Sequence, residues 1–194
     1  MATTAPPAKR AQSSTTAIPT TKPTCRIHSL AIIADRVQLT GSHNVDIGEN
    51  TILHPYAKIS ADKGNISIGR HCIIAEKTVV GSPSGSLTVE DGVSIESGAV
   101  VEGTRVGEWS IIGVNAKVGR GAVVGRWCTV GALCEVGEGE VVEDFTVVFG
   151  CRERRVDAVL RESEEIKEMR AKGRRMEVEL LRTLIPDAGA KWRG

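Results

Sequence analysis

The chain has 194 residues, enough for one domain with tails, and a net charge of +1 from 25 basic and 24 acidic side chains. That balance gives no electrostatic case for a nucleic-acid or membrane-surface partner, and no apolar run approaches the roughly 20 residues of a spanning helix. Aromatic residues make up 3%, low for an ordinary globular core and natural for an interior of Ile, Val and Ala.

Residues 1–26 read as a tail. They are rich in Thr, Ala, Pro and Ser, lack acids and carry Lys9, Arg10 and Lys22. A mitochondrial transit peptide shares that composition. Pro6, Pro7, Pro19 and Pro23 spoil an amphipathic helix, so a disordered tail is the expectation.

From 27 to 150 a ladder of aliphatic residues takes over. It reads Ile27, Ile33, Leu39, Ile47, Leu53, Ile59, Ile68, Ile74, Val80, Val89, Ile95, Val101, Val106, Ile112, Val118, Val124, Val130, Val136, Val142 and Val148. The spacing is mostly six and is strictly six from Val106 onward. A period of six is a multiple of the strand period, so each hexad holds a short strand and a corner. The ladder residue (i) and residue i+4 then point inward. The i+4 row is small or β-branched, with Cys72, Cys128 and Cys134 among its members and Glu140 as its exception. Those three cysteines read as buried, reduced thiols, which favours a reducing compartment. The i+1 row is glycine-rich (Gly48, Gly69, Gly107, Gly125 and others), which suits sharp corners. Three hexads make one triangular coil, and the irregular spacings after Leu39, Ile59, Val80 and Val101 all fall at one corner. Six to seven coils stack as a parallel β-helix. Hexapeptide-repeat proteins, which this pattern resembles, coil left-handed against the usual crossover rule, so the resemblance implies an all-β, left-handed parallel β-helix.

Residues 151–186 form a charged junction and a C-terminal helix, and 187–194 a second tail. Arg152, Arg154 and Arg155 open the junction. Ile166, Met169, Gly173, Met176, Leu180 and Leu184 follow helical spacing, Gly173 is a possible break, and Pro186 ends the helix. The expected helix face is Met176, Leu180 and Leu184.

No catalytic, cofactor or metal residue is assigned. His28, His43, His54 and His71 fall in different coils or on different walls, and a catalytic zinc needs about three converging ligands. His54-Pro55 reads as a corner. The glycines around Gly119-Arg120-Gly121 are repeat positions and carry no phosphate-loop signal. Glu90 with Asp91, and Glu138 with Glu140, read as solvated corner charges. The informative outer residues are apolar. Trp109, Trp127 and Phe145 recur every 18 residues as a ladder on the first wall, beside Ile32, Ile52, Ile73, Ile111 and Val147. Such a surface marks cover by the chain's own helix or by a partner.

The stretch Thr51-Ile52-Leu53-His54-Pro55-Tyr56-Ala57-Lys58-Ile59, the junction Val147-Val148-Phe149-Gly150 with Cys151, Arg152, Arg154 and Arg155, and the closing Leu180-Leu181-Arg182-Thr183-Leu184-Ile185-Pro186 resemble the dynactin subunit 6 family in its fungal form. The resemblance implies a non-catalytic, cytoplasmic and cytoskeletal subunit without cofactors. It would pair with dynactin subunit 5 in the pointed-end complex, beside the actin-related protein and the largest pointed-end subunit, and support dynein attachment to endosomal cargo. The alternative is a homotrimer like the gamma carbonic anhydrases or the acyltransferases of the hexapeptide-repeat superfamily, whose histidines project from the prism.

Overall fold

The computed structural model describes residues 23–150 and 152–193. Most of the 1–26 tail reading lies outside them, and so does Cys151. The hexads fold as a left-handed parallel β-helix with three flat walls. The first wall has 7 strands, running from Cys25–Ile27 to Val141–Val142. The second has 8, from Ile32–Ile33 to Thr146–Phe149 plus a final antiparallel strand, Glu153–Val156. The third has 6, from Gln38–Gly41 to Glu135–Val136. Stacking is in register despite the irregular spacings: Ile47 pairs with Ile68, Ile68 with Val89, and Val89 with Val106. The extra residues bulge out at the corner between third and first walls and leave the ladder undisturbed.

Every ladder residue after Ile27 is buried, and Ile27 packs against the same core. The i+4 row fills the remaining space, and the next coil satisfies Thr51 and Ser110 on it. Thr51 Oγ1 donates to Gly69 O at 2.7 Å and accepts from Cys72 N at 3.1 Å. Ser110 repeats this with Gly125 O and Cys128 N. The Cys72 thiol donates to Glu90 O at 3.0 Å, and burial pushes its pKa up to about 12. It behaves as a small apolar side chain, not a nucleophile. Glu140, the exception on the row, accepts from Gly137 N and pairs with Arg154 on the closing antiparallel strand, so its counterion is supplied by the cap. Glu90 and Asp91 are likewise paired, with Arg105 at 2.7 Å and Arg70 at 2.7 Å.

Two details correct the expected geometry. The i+3 residues are corners rather than wall positions: Asn50, His71, Gly92, Trp109, Trp127 and Phe145 all have positive φ. Each strand of the second wall therefore begins at the residue expected at the end of a first-wall hexad. Ile32, Ile52, Ile73, Ile111 and Val147 lie on the second wall, with the aromatic column at the edge where the first wall turns into it. The i+1 glycines, in contrast, do not have positive φ. At Gly48, Gly69, Gly107, Gly113, Gly119 and Gly125 glycine is required because the backbone of the next coil passes against it.

Past the coils, Asp157 caps a short helix α1 (Ala158–Glu162), and Ser163 caps a long one, α2 (Glu164–Leu184), by accepting from Ile166 N at 3.3 Å. Gly173 does not break α2, which runs unbroken to Leu184 with Ile185 as its C-cap. At 1.5 Å per residue it is roughly 30 Å long, matching the stack of coils at about 4.8 Å each. It climbs the second wall from the last coil back to the first. Lys167 sits over the Phe145 ring at 5.1 Å, Arg170 donates to Thr129 at 3.0 Å, Arg175 lies over Trp109 at 5.6 Å, and Arg182 donates to Asn50. Burial, with Arg174 adding to it, pushes the Arg170 pKa down. Val178 is buried against Ile52 and Ile73, with Ile32, Leu181 and Ile185 around them. The docked face is thus Ala171, Val178, Leu181 and Ile185. The expected face is turned to solvent: Met176 is 60% exposed, Leu180 60% and Leu184 66%.

The expected second tail is a lid on the open end of the first coil. Asp187 accepts from Ile33 N at 3.0 Å and from Gly189 N at 3.0 Å, Arg193 pairs with Asp187 and donates to Ala31 O, and Trp192 packs against the core beside Cys25 and Ile27. Burial works to raise the Asp187 carboxyl. The Ile33 N–H, the Arg193 guanidinium and the Gly189 N–H outweigh it and hold the group below its ordinary value. A carboxyl depressed in the folded state stabilises fully above its unfolded pKa, near 3.9, and loses that contribution as pH falls through the lower folded value. Asp187→Ala should therefore lower the melting temperature at pH 7 but flatten its fall between about pH 5 and pH 2. Parallel wild-type and variant profiles would count against this linkage.

Candidate active site beside helix α2

The four histidines do not converge. His28 accepts from Leu30 N through Nδ1 at 3.2 Å and is exposed. His43 sits in the irregular corner, within 3.2 Å of Ser42 Oγ. His71 occupies a positive-φ corner with φ 54°. Among the described residues no group of three or more His, Cys, Asp or Glu side chains is placed to hold a metal ion.

His54 differs from the others. It follows Leu53 on the second wall, where the chain leaves the strand for the corner Pro55-Tyr56, so its ring emerges at the wall's far edge. There it meets the flank of α2. A cleft of about 370 Å³ is lined by His54, Glu76, Glu96 and Ser97 from three successive coils and by Glu177 and Leu181 from the helix. Glu96 accepts from Ser94 Oγ at 2.9 Å, which fixes its carboxylate. His54 Nε2 is buried and has no hydrogen-bond partner in the structure. Burial lowers the His54 pKa, and the opposing pull of Glu76, Glu177 and Glu96 does not restore it. The ring is consequently a neutral imidazole at pH 7, with a buried, unpartnered nitrogen at the wall of an acidic cleft. Such a group can accept a proton. The structure places His54 at the expected corner. The third side of its cleft comes from a helix far along the chain, which spacing within the repeat does not reveal.

At the opposite edge, Trp109 and Trp127 stack at 5.7 Å with 21° between their planes. Trp109 lies flat over Gly92, where an added Cβ would come within 2.3 Å of its ring. These aromatics, Phe145 and the stems of Lys167, Lys172 and Arg175 line a second cleft of about 810 Å³ between wall and helix. Helix α2 reaches the aromatic ladder through Lys167 over Phe145 and Arg175 over Trp109. No helix among the described residues is long and apolar enough to cross a membrane.

No protein-family model matches the chain, and no curated protein matches it. Solved structures do. A Bacillus cereus protein assigned as an acetyltransferase is 22% identical with a TM-score of 0.64, covering 82% of this chain and 96% of its own. A hexapeptide transferase family protein from Anaplasma phagocytophilum is 20% identical with a TM-score of 0.58, covering 82% and 92%. The Bacillus cereus N-acyltransferase AntD, solved with dTDP and 3-hydroxybutyryl-CoA, is 19% identical with a TM-score of 0.54, covering 76% and 90%. These likenesses correct the expectation of a non-catalytic dynactin subunit: the three solved proteins are named as transferases, so the comparisons side with the acyltransferase alternative and against the expectation of a non-enzyme. At these identities the shared property is the fold, a hexapeptide-repeat β-helix spanning nearly the whole of each solved chain.

Proposed function

We propose that this protein is an acyltransferase that moves an acyl group from a thioester donor to an amine, with His54 as the proton acceptor. The observation that carries the reading is the neutral, unpartnered His54 Nε2 in a cleft walled by Glu76, Glu96 and Glu177. The names of the similar structures, and the acyl-CoA bound to AntD, support the choice of reaction class. The three carboxylates attract an acceptor that arrives as an ammonium. The bound ammonium releases one proton to solvent and becomes the neutral amine nucleophile. The nitrogen attacks the thioester carbonyl, the C–N bond forms as the C–S bond breaks, and His54 takes the second proton from the nitrogen and passes it to the departing thiolate, which leaves as thiol. Ser94 holds Glu96 in place, so the electrostatic field at the ring is fixed before the acceptor binds.

The test is acyl transfer from a panel of acyl-CoA donors to primary amines, with the amide product read by mass spectrometry. His54→Asn should cut kcat/KM by about 10²–10⁴-fold, the usual contribution of a general base, with the melting temperature close to wild type. The wild-type rate should rise with pH along a limb lying below the ordinary histidine value of about 6.5 and level off above it. A wild-type chain that acylates no amine, or a His54→Asn variant as fast as wild type, sinks the proposal.

A further inference from the structure

Helix α2 has two apolar faces, and only one is used. Ala171, Val178 and Ile185, seven residues apart, face the second wall. On the opposite side Ile166, Met169, Gly173, Met176 and Leu180 follow alternating steps of three and four; the next step falls on Thr183, with Leu184 beside it. That is the heptad seam of a coiled coil, with the docked residues at the position diametrically opposite. Met169 is 67% exposed and Ile166 38%, so the seam lies in water along most of the helix.

We infer that this seam pairs with the same seam of a second copy of the chain, the two α2 helices running antiparallel about a two-fold axis between Gly173 and Met176. The sequence of the seam is complementary to its own reverse. In that arrangement Met169 meets Leu180 of the second copy, the flexible Met176 fills the space over Gly173, and Ile166 meets Thr183 with Leu184 at its flank. A Cβ at Gly173 would touch nothing within 4 Å in the single chain, so that space is open. A parallel pair would set Gly173 against Gly173 and leave a void at the centre, which packing disfavours. Charge agrees with the antiparallel choice: Lys172, which has no ion-pair partner among the described residues, comes opposite Glu179, and the axis makes this contact twice. The seam exposes on the order of 400 Å² of apolar side chain per helix, and the flanking stems bring it toward the roughly 800 Å² per partner of a standard interface. The contact is isologous and closes on itself, as a two-fold dimer must. This inference does not rest on the acyl-transfer reading.

Sedimentation of the full chain tests it. The wild type should be a dimer at about 100 μM and dissociate on dilution. Leu180→Glu should weaken association by at least about 100-fold, because a charge in the seam would be buried without a partner. Its melting temperature in the dilute monomer should match the wild type, because Leu180 touches nothing there. Orientation is read by cross-linking. Met169→Cys and Leu180→Cys variants, mixed and oxidised, should give a disulfide-linked pair that neither gives alone. A wild type that stays monomeric at about 100 μM overturns the proposal. So does a Leu180→Glu variant that still dimerises, or a linked pair formed equally well by each cysteine variant alone.

Discussion

Gly107→Ala should destabilise the fold by more than about 3 kcal/mol, at the upper end of the range for overpacking a core. An added Cβ would lie 2.5 Å from the carbonyl carbon of Gly125, 2.6 Å from its oxygen and 2.7 Å from Arg126 N. All three atoms are backbone in the next coil, and that backbone is held on both sides. Gly107 N donates to Val124 O at 2.8 Å, and Gly125 N donates to Val142 O at 2.8 Å. The coil therefore cannot retreat without breaking ladder bonds or prising the stack apart. Gly81→Ala is the control. Gly81 occupies the same i+1 position, but the nearest atom to an added Cβ is Pro83 Cδ at 3.8 Å. That substitution should be neutral to within about 0.5 kcal/mol. Urea midpoints of the two variants decide the matter. Equal losses would mean that corner conformation, not the approach of the next coil, is what selects glycine.

The second large effect is at Val178. Its side chain is 1% exposed, between Ile52 and Ile73 on the second wall. Val178→Asp removes roughly 1.5–2 kcal/mol of apolar burial and places a carboxylate where nothing pairs with it, so a total loss of about 3–5 kcal/mol is expected. The helix is the element that gives way, because the coils have their own core. Amide exchange should show α2 and the residues after it losing protection together while the ladder strands remain protected. Leu184→Asp, at a position 66% exposed, should cost under about 0.5 kcal/mol in the dilute chain. If Leu184→Asp released the helix and Val178→Asp did not, the docked face would have been assigned to the wrong side.

The ladder of the β-helix was legible because a six-residue period has few physical solutions. The large residue, the small residue and the in-register stack all follow from it. The corners were legible as positions and not as conformations. Glycine at i+1 suggests a turn that only glycine can make, whereas the positive φ angles belong to i+3, where Trp109, Trp127 and Phe145 sit. That column was expected on a wall for the same reason. The helix face was misassigned because apolar periodicity picks out Met176, Leu180 and Leu184. The docked face instead sets Ala171, Val178, Leu181 and Ile185 among Lys167, Arg170, Arg174 and Arg182, whose charged ends reach a ring, a hydroxyl, a carboxylate and an amide oxygen. A hydropathy pattern scores such residues as solvent-facing. His54 was passed over because the sequence can count histidines and their spacing, but not the helix that returns to wall them in.

The lid over the first coil changes how the rod must behave as a chain. In a simple solenoid each repeat touches only its neighbours, so either end can fray while the rest holds. Here the helix ties the last coil to the first, and the segment around Trp192 closes the first coil's open edge. The linear stack is thereby made into a loop of interactions, and losing either end loosens the other. During synthesis the first coil must wait without this cover until Asp187, 154 residues past Ile33, has been made. The interval between building that coil and sealing it is when the chain is most open to mispairing with another strand edge.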